Sequence, residues 1–256
     1  MTGVTGCDGC DGAPQPISRG AGPAVCQHGR RMLPSALALL HLDDRLAAFA
    51  KPSGMLVHRG WGDADVVAVD LVRAAFGGRV HPVHRLDRAT SGVLLFARDP
   101  EAAAALCGMF ERGEMHKTYF ALVRGVAPEE GVIDHPIPRT EDGPRVPAVT
   151  AFRRRHVFER WSLVEARPAT GRLHQIRRHL KHISHPIVGD VNYGKGEINR
   201  LFRERFGLRR LALHASALRF ESPFGGGEVV IRAGLPDDLQ EPFGRMGIPD
   251  EAFAPT

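Results

Sequence analysis

The side chains best placed to do chemistry lie in the stretch His84 to Ala97, HRLDRATSGVLLFA. Its single carboxylate, Asp87, sits in a polar turn between Arg85 and Arg88, just ahead of the apolar run Val93-Leu94-Leu95-Phe96. A carboxylate held between cations stays ionised and positioned, so Asp87 is either a structural turn residue or a reactive centre. Two distant residues bear on that choice. Arg177 falls at the border of the apolar face of a predicted helix, where a partly desolvated guanidinium is costly without an anionic partner, and Asp87 is the obvious candidate. Tyr119 falls on a predicted strand that is apolar on both faces. A tyrosine there is most often core packing, but its phenol needs a polar partner, which leaves a site-facing role open.

These residues have to be positioned by elements that periodicity and chain breakers outline. A strand over Leu42 to Phe49 leads through Pro52-Ser53-Gly54 into a second strand, Met55 to His58, and Val66 to Phe76 has the apolar spacing of a short helix ended by Gly77-Gly78. Val80 to Leu86 and Val93 to Ala97 read as strands on either side of the loop that carries Asp87. Asp99-Pro100 supplies an N-cap and a proline in the first turn for a helix running to Gly113, and His116 to Gly125 follows as an inner strand. Gly131 to Val157 suggests a hairpin with exposed loops, and Trp161 to Ala166 another strand. The next helix buries Leu173, Ile176, Leu180 and Ile183 and clusters His174, Arg178 and Lys181 on an adjacent face. A mixed-charge helical stretch over 200–210, a strand over Leu211 to Phe220 and a last strand over Glu228 to Arg232 complete the sheet. The first 31 residues, rich in Gly and Pro and without periodicity, read as a disordered tail, with Met32 a candidate start of the native chain. Residues 236–256 read as a surface tail.

Composition narrows the function classes. With 256 residues, 43% of them hydrophobic, the chain has material for a substantial core. No apolar run approaches the roughly 20 residues that span a bilayer, and no signal-peptide layout is present, so a cytoplasmic protein without membrane attachment is expected. Four cysteines, at 7, 10, 26 and 107, do not make a disulfide framework. The net charge of +5 is unevenly spread: residues 167–210 carry eleven Lys or Arg against three acids, a local +8. Such a field suits a polyanion partner, or a solvated helix face. Two near-motifs lead nowhere. Cys7, Cys10, Cys26 and His28 lack the spacing and the apolar surroundings of a zinc knuckle. GDVNYGKG at 189–196 ends in Gly196 where a phosphate-binding loop needs a hydroxyl, and no long helix-forming run is expected to begin there.

HRLDRATSGVLLFA resembles the signature of the RluA-type pseudouridine synthase family, and three further blocks agree in order: KPSGMLVH at 51–58, KTYFALVRG at 117–125 and GRLHQIRRHL at 171–180. The resemblance spans roughly residues 42–232 and departs at Ala50, where asparagine is common in the family. It implies an α+β fold, a mixed, mainly antiparallel central sheet flanked by helices and loops, in one catalytic domain over residues 32–235. It also implies that Asp87 is the nucleophile or base-detaching carboxylate and that Arg177 is paired to it. Tyr119 would stack on a flipped uracil and move the proton from C5, and Arg85 would displace the target base or hold the RNA after flipping. Arg172, Arg178 and Lys181 would hold phosphates, while His84, His174 and His214 are structural or RNA-contacting rather than a metal set. The reaction involves neither redox chemistry nor phosphoryl transfer, so no metal and no cofactor are expected. Whether the carboxylate attacks C1′ or C6, or abstracts a ribose proton, stays open. Within the family, residues 181–215 are most similar to the branch that modifies uridine 65 of tRNA. A ribosomal RNA target, or a non-catalytic RNA-binding module on the same fold, are the alternatives, and a monomer is expected.

Overall fold

The computed structural model describes residues 36–59, 66–78, 80–139 and 143–254. The tail expected over residues 1–31, with its cysteines and the Met32 start, lies outside them. Two hairpin strands, β1 (Ala38–Leu42) and β2 (Leu46–Lys51), precede helix α1 (Ala68–Phe76), strand β3 (His81–Pro82) and strand β4 (Ser91–Ala97). Then come helix α2 (Pro100–Arg112) and strands β5 (His116–Arg124), β6 (Glu130–Asp134), β7 (Ile137–Pro138), β8 (Arg145–Val146), β9 (Val149–Phe158) and β10 (Trp161–Pro168). Helices α3 (Gln175–His182) and α4 (Gly196–Phe206), strands β11 (Leu213–Glu221) and β12 (Glu228–Arg232), helix α5 (Asp237–Arg245) and a short 3-10 turn (Asp250–Phe253) complete the chain. Among the described residues ten strands form one sheet, running β1-β2-β4-β11-β5-β10-β9-β6, with β3 and β12 paired to β4 and β11. All these pairings are antiparallel except β4 with β11, so the mixed, mainly antiparallel α+β architecture expected from the sequence is the observed one.

Both faces of the sheet are covered, which is why its inner strands are continuous apolar runs. Alternate residues of β2 and β4 serve different helices. Ala48, Val93 and Leu95 pack with Leu106 and Met109 of α2, while Phe49, Leu94 and Phe96 pack with Val69, Val72 and Phe76 of α1. Helix α2 has the predicted ends: Asp99 accepts a hydrogen bond from the Ala102 amide at 2.8 Å, and Gly113 closes it in the left-handed conformation. Strand β5 lies between β11 and β10 as the inner strand it was expected to be. A third cluster, built on β5 and β10, takes in Ile176 and Leu180 of α3 and Phe202 and Phe206 of α4.

Four expectations need correction. The stretch 55–58 is not a strand; Leu56 makes one isolated bridge to Val67, because 51–55 is folded into a turn against the loop that carries Asp87. Of the strand expected over Val80 to Leu86, only His81–Pro82 pairs. A helix does begin at Gly196: its first residues are polar, but Phe202 and Phe206, four residues apart, anchor it in the core. Residues 236–254 are not a surface tail. Leu239, Phe243, Met246, Ile248 and Ala252 are buried in the third cluster, an apolar spacing that prolines and acids had masked.

Candidate active site

Asp87 opens a turn, with the Thr90 amide donating to the Asp87 carbonyl, and the turn feeds directly into β4. The loop is held by backbone contacts to the turn at 51–55. Lys51 Nζ donates to the carbonyls of Pro52, Met55 and Arg88, Ser53 Oγ donates to the Ala89 carbonyl, and the Gly54 amide donates to the Arg88 carbonyl. Lys51 is almost fully buried, and burial pushes its ammonium down to about 7, with Arg210 adding and Asp87 opposing. On the other side, Arg210 donates to Ser91 Oγ at 2.8 Å and to the Leu213 carbonyl. Ser91 Oγ is 2.8 Å from His214 Nδ1, whose other nitrogen meets the Ala233 carbonyl. Burial holds His214 down at about 4, so its ring is a neutral strut. The arginines beside Asp87 in sequence are not its partners: Arg88 Nε donates to the Gly54 carbonyl and Arg85 is exposed on the rim. Chain-adjacent side chains at a turn diverge, and the partner comes from α3.

That partner is Arg177. Its Nη1 donates to Asp87 Oδ2 at 3.3 Å, while its Nε and Nη2 make a bidentate pair with Asp190 at 2.7 and 2.9 Å. The guanidinium is 7% exposed and the Asp190 side chain 0%, so Arg177 lies inside the protein rather than at the border of the helix. Asp190 Oδ1 also accepts from the amides of Asn192 and Tyr193. Burial would raise the Asp190 pKa, but the hydrogen bond from Arg177 and the two amides overcome it and leave the carboxyl below its ordinary value. Sequence reading missed Asp190, which lies inside the GDVNYGKG near-motif; the signal was a carboxylate next to a glycine-bounded turn, but nothing local ties it to position 177. Hydropathy likewise missed Gln175 and His179, both buried in α3. Gln175 Nε2 donates to the Val149 carbonyl and to Thr150 Oγ1, and His179 bonds Thr150 Oγ1 and the His135 carbonyl, fastening the helix to β9.

Asp87, Arg177 and Tyr119 line one cleft of about 750 Å³, together with Arg85, Lys117, Arg139, Arg172 and His174. Tyr119 stands opposite Ala166 on β10 and Ala215 on β11, two small neighbours that leave its ring room at the floor. Burial pushes its phenol above the ordinary value and the charge of Asp87 adds to this, so the hydroxyl keeps its proton. Lys117, two residues away on the same face, donates to the Thr170 carbonyl, and burial lowers its ammonium to about 8. Of the residues expected at phosphates, Arg172 and Lys181 are exposed, but Arg178 is engaged: its Nε donates to Tyr193 Oη at 2.8 Å and its Nη1 to the Pro138 carbonyl. The three histidines do not converge. His84 is half-buried and stacked on Phe110, accepts from the Leu95 amide, and is held down at about 3 by desolvation of its ring, while His214 serves β11 and His174 faces Asp87.

The site can therefore present one carboxylate, backed by a buried guanidinium, to a flat group lying on a neutral tyrosine in a cation-rimmed cleft. Residues 45–182 match the family model described as RNA pseudouridylate synthase. A tRNA pseudouridine synthase C of Vibrio parahaemolyticus is 41% identical over 238 residues, covering 84% of this chain and 97% of that protein. Its counterpart in Salmonella typhimurium is 41% identical, covering 82% and 90%. Among solved structures, human RNA pseudouridylate synthase domain containing 4 superposes with a TM-score of 0.69 at 28% identity, covering 82% of this chain and 92% of that one. The chain belongs to the RNA pseudouridylate synthase family.

Proposed function

We propose that the protein converts a uridine of tRNA to pseudouridine, and that uridine 65 is its target. The observation that carries the reading is the Asp87–Arg177 contact at the floor of a cleft that also holds Tyr119. The isomerisation breaks the bond from C1′ to N1, turns the ring, joins C5 to C1′, and moves the proton of C5 off as N1 gains one; atoms and electrons balance without a co-reactant. Neither the sugar nor the ring edge is reachable in a stacked helix, so the uridine has to be extruded into the cleft, with its ring against Tyr119. Asp87 then acts as the carboxylate that detaches the base, and the cationic groups of the cleft offset charge on the freed uracil. Arg85 at the rim takes the place of the displaced base, and Arg172 and Lys181 hold phosphates, a contribution that weakens as salt rises.

The identity of the curated relatives over most of their length supports tRNA as the substrate. Residues 181–215 support uridine 65 as the position. Activity as a monomer in the cytoplasm completes the proposal. The test is pseudouridine mapping by carbodiimide primer extension in tRNA and ribosomal RNA from cells with and without the protein, repeated with Asp87→Asn. The expected result is loss of one tRNA site, not restored by the variant although purified Asp87→Asn still binds tRNA. Turnover by Asp87→Asn rejects the assignment of the carboxylate, and loss of a ribosomal site alone rejects the substrate.

A further inference from the structure

His174 has two features that RNA contact does not account for. It is a non-glycine residue at a φ of 53° with no side-chain cap on α3, a left-handed conformation that persists only where surroundings enforce it. Its imidazole has a polar group facing each nitrogen: Nδ1 is hydrogen-bonded to Tyr193 Oη at 3.0 Å, and Nε2 points to Asp87 Oδ2 at 3.8 Å.

The direction of these contacts follows from what each group can donate. Arg178 Nε donates to Tyr193 Oη at 2.8 Å, since a guanidinium has no acceptor. The Tyr193 hydroxyl then has its own proton free to give, and His174 Nδ1 lies within reach to accept it. An Nδ1 that accepts leaves the ring proton on Nε2, aimed at Asp87. Tyr193 is itself immobilised: its amide donates to Asp190 Oδ1, and Arg177 and Lys181 lie over its ring at 5.0 and 5.6 Å.

We propose that His174 is a positioning residue for the reacting carboxylate, with its Nε2–H tautomer set by the Arg178–Tyr193 pair. This rests on the reading of Asp87 given above. Arg177 Nη1 and His174 Nε2 both address Oδ2, so together they fix the rotation of the carboxylate and turn Oδ1 toward the cleft. A spacing of 3.8 Å is long for a hydrogen bond, and the contact closes when substrate displaces water from the cleft. The groups facing the imidazole are Asp87, Asp190, Arg177, Arg178 and Tyr193. Burial, with Arg177 and Arg178 adding, outweighs the two carboxylates and holds the ring below its ordinary pKa, in the neutral form that the donor–acceptor pattern needs. Tyr193 is thereby a positioning residue one step further out, and neither side chain has to touch RNA.

The test is Tyr193→Phe, read by nitrogen-15 NMR of the imidazoles and by single-turnover kinetics on tRNA. The wild type should show His174 protonated at Nε2. Tyr193→Phe should lose that preference and lower the single-turnover rate about tenfold, with tRNA affinity unchanged, about what removing one fixed hydrogen bond costs. His174→Gln, which can return an amide N–H near the Nε2 position, should recover more rate than His174→Asn, which tolerates the left-handed backbone but cannot reach. A wild-type rate in Tyr193→Phe, or an Nδ1-protonated His174 in an active wild type, overturns the positioning role alone. A wild type that forms no pseudouridine in tRNA or ribosomal RNA overturns the reading of the site, and the role of His174 with it.

Discussion

Arg177→Met tests the site through stability, because the guanidinium serves two carboxylates with different access to water. Asp87 has a side chain 22% exposed and can rehydrate when the cation is lost; Asp190, at 0%, cannot. The substitution therefore leaves Asp190 as a buried charge with only the amides of Asn192 and Tyr193 for company. Breaking a buried pair from one side costs about 3–5 kcal/mol. At about 2–4 °C per kcal/mol for a domain of this size, the melting temperature should fall by roughly 6–20 °C. Adding Asp190→Asn removes the stranded charge while keeping an oxygen for the two amides, so the double variant should regain about 2 kcal/mol or more over Arg177→Met. Activity should not return with it, since Asp87 has still lost its partner. The pH dependence has a definite sign. In the wild type the depressed Asp190 carboxyl contributes in full above the unfolded value of about 3.9, and that contribution is lost only as pH falls through the lower folded value. In Arg177→Met burial is opposed only by the amides of Asn192 and Tyr193, so the same carboxyl rises, and mild acid neutralises it and relieves the strain. The gap in melting temperature should narrow between pH 7 and pH 4. Thermal melts of the three proteins at both values decide the matter: an Arg177→Met variant within about 2 °C of wild type, or a double variant less stable than the single, refutes the argument.

Three further substitutions probe the supports of the site. Lys51→Met leaves the carbonyls of Pro52 and Met55 without that donor, at about 1–3 kcal/mol for each that water does not reach, leaves the Arg88 carbonyl only the Gly54 amide, and frees the Asp87 loop. Urea denaturation should show the loss and turnover should fall with tRNA affinity kept, whereas an unchanged turnover number shows that the loop is held without Lys51. Phe243→Ala should cost about 3–5 kcal/mol by the same assay, because the ring is 2% exposed in the core cluster; a change under about 0.5 kcal/mol would restore the surface-tail reading of the C-terminus. Gly92→Ala should abolish soluble expression, since φ there is +121° and a Cβ would overlap the Ala215 backbone; a folded variant with the wild-type melting temperature contradicts this placement of β4 against β11.

How far the sequence reveals the protein depends on whether the relevant signal is local. Helix α2 is read correctly because its cap, its proline and its closing glycine lie within one segment. The inner strands are read correctly because burial on both faces shows as an unbroken apolar run. Pairings between distant residues leave no such trace. Position 177 could be seen to need an anion, but the geometry divides that anion between Asp87 and Asp190, 103 residues apart in the chain, and only the latter is bidentate. The C-terminal segment shows a third situation, in which the signal was present and outvoted. Leu239, Phe243 and Met246 have the spacing of a helix face, but Pro242 within the helix and the acids before it suggest a loop. Arg178 fails for the opposite reason: a charge on the surface of a helical wheel looks free, and here the Tyr193 hydroxyl and a carbonyl occupy it.

The geometry of the site is set less by the Asp87 loop than by one row of residues across the sheet. Gly92 on β4 is in register with Ala215 on β11, Ala215 with Tyr119 on β5, and Tyr119 with Ala166 on β10. At about 4.8 Å per strand, Tyr119 lies about 10 Å from the residue at which the loop enters the sheet, close enough for a side chain from each to face one extruded base. Each member of the row is suited to that spacing. Gly92 lets the parallel pair approach, and the alanines flank the tyrosine without filling the cleft above it. The β4–β11 pairing joins segments more than 120 residues apart, so the cleft cannot form before the chain is nearly complete. Arg210 reinforces that dependence by bonding Ser91 on one side and Asp238 of α5 on the other. The C-terminal helix thus belongs to the machinery that holds Asp87 in place, although it contributes no residue to the cleft.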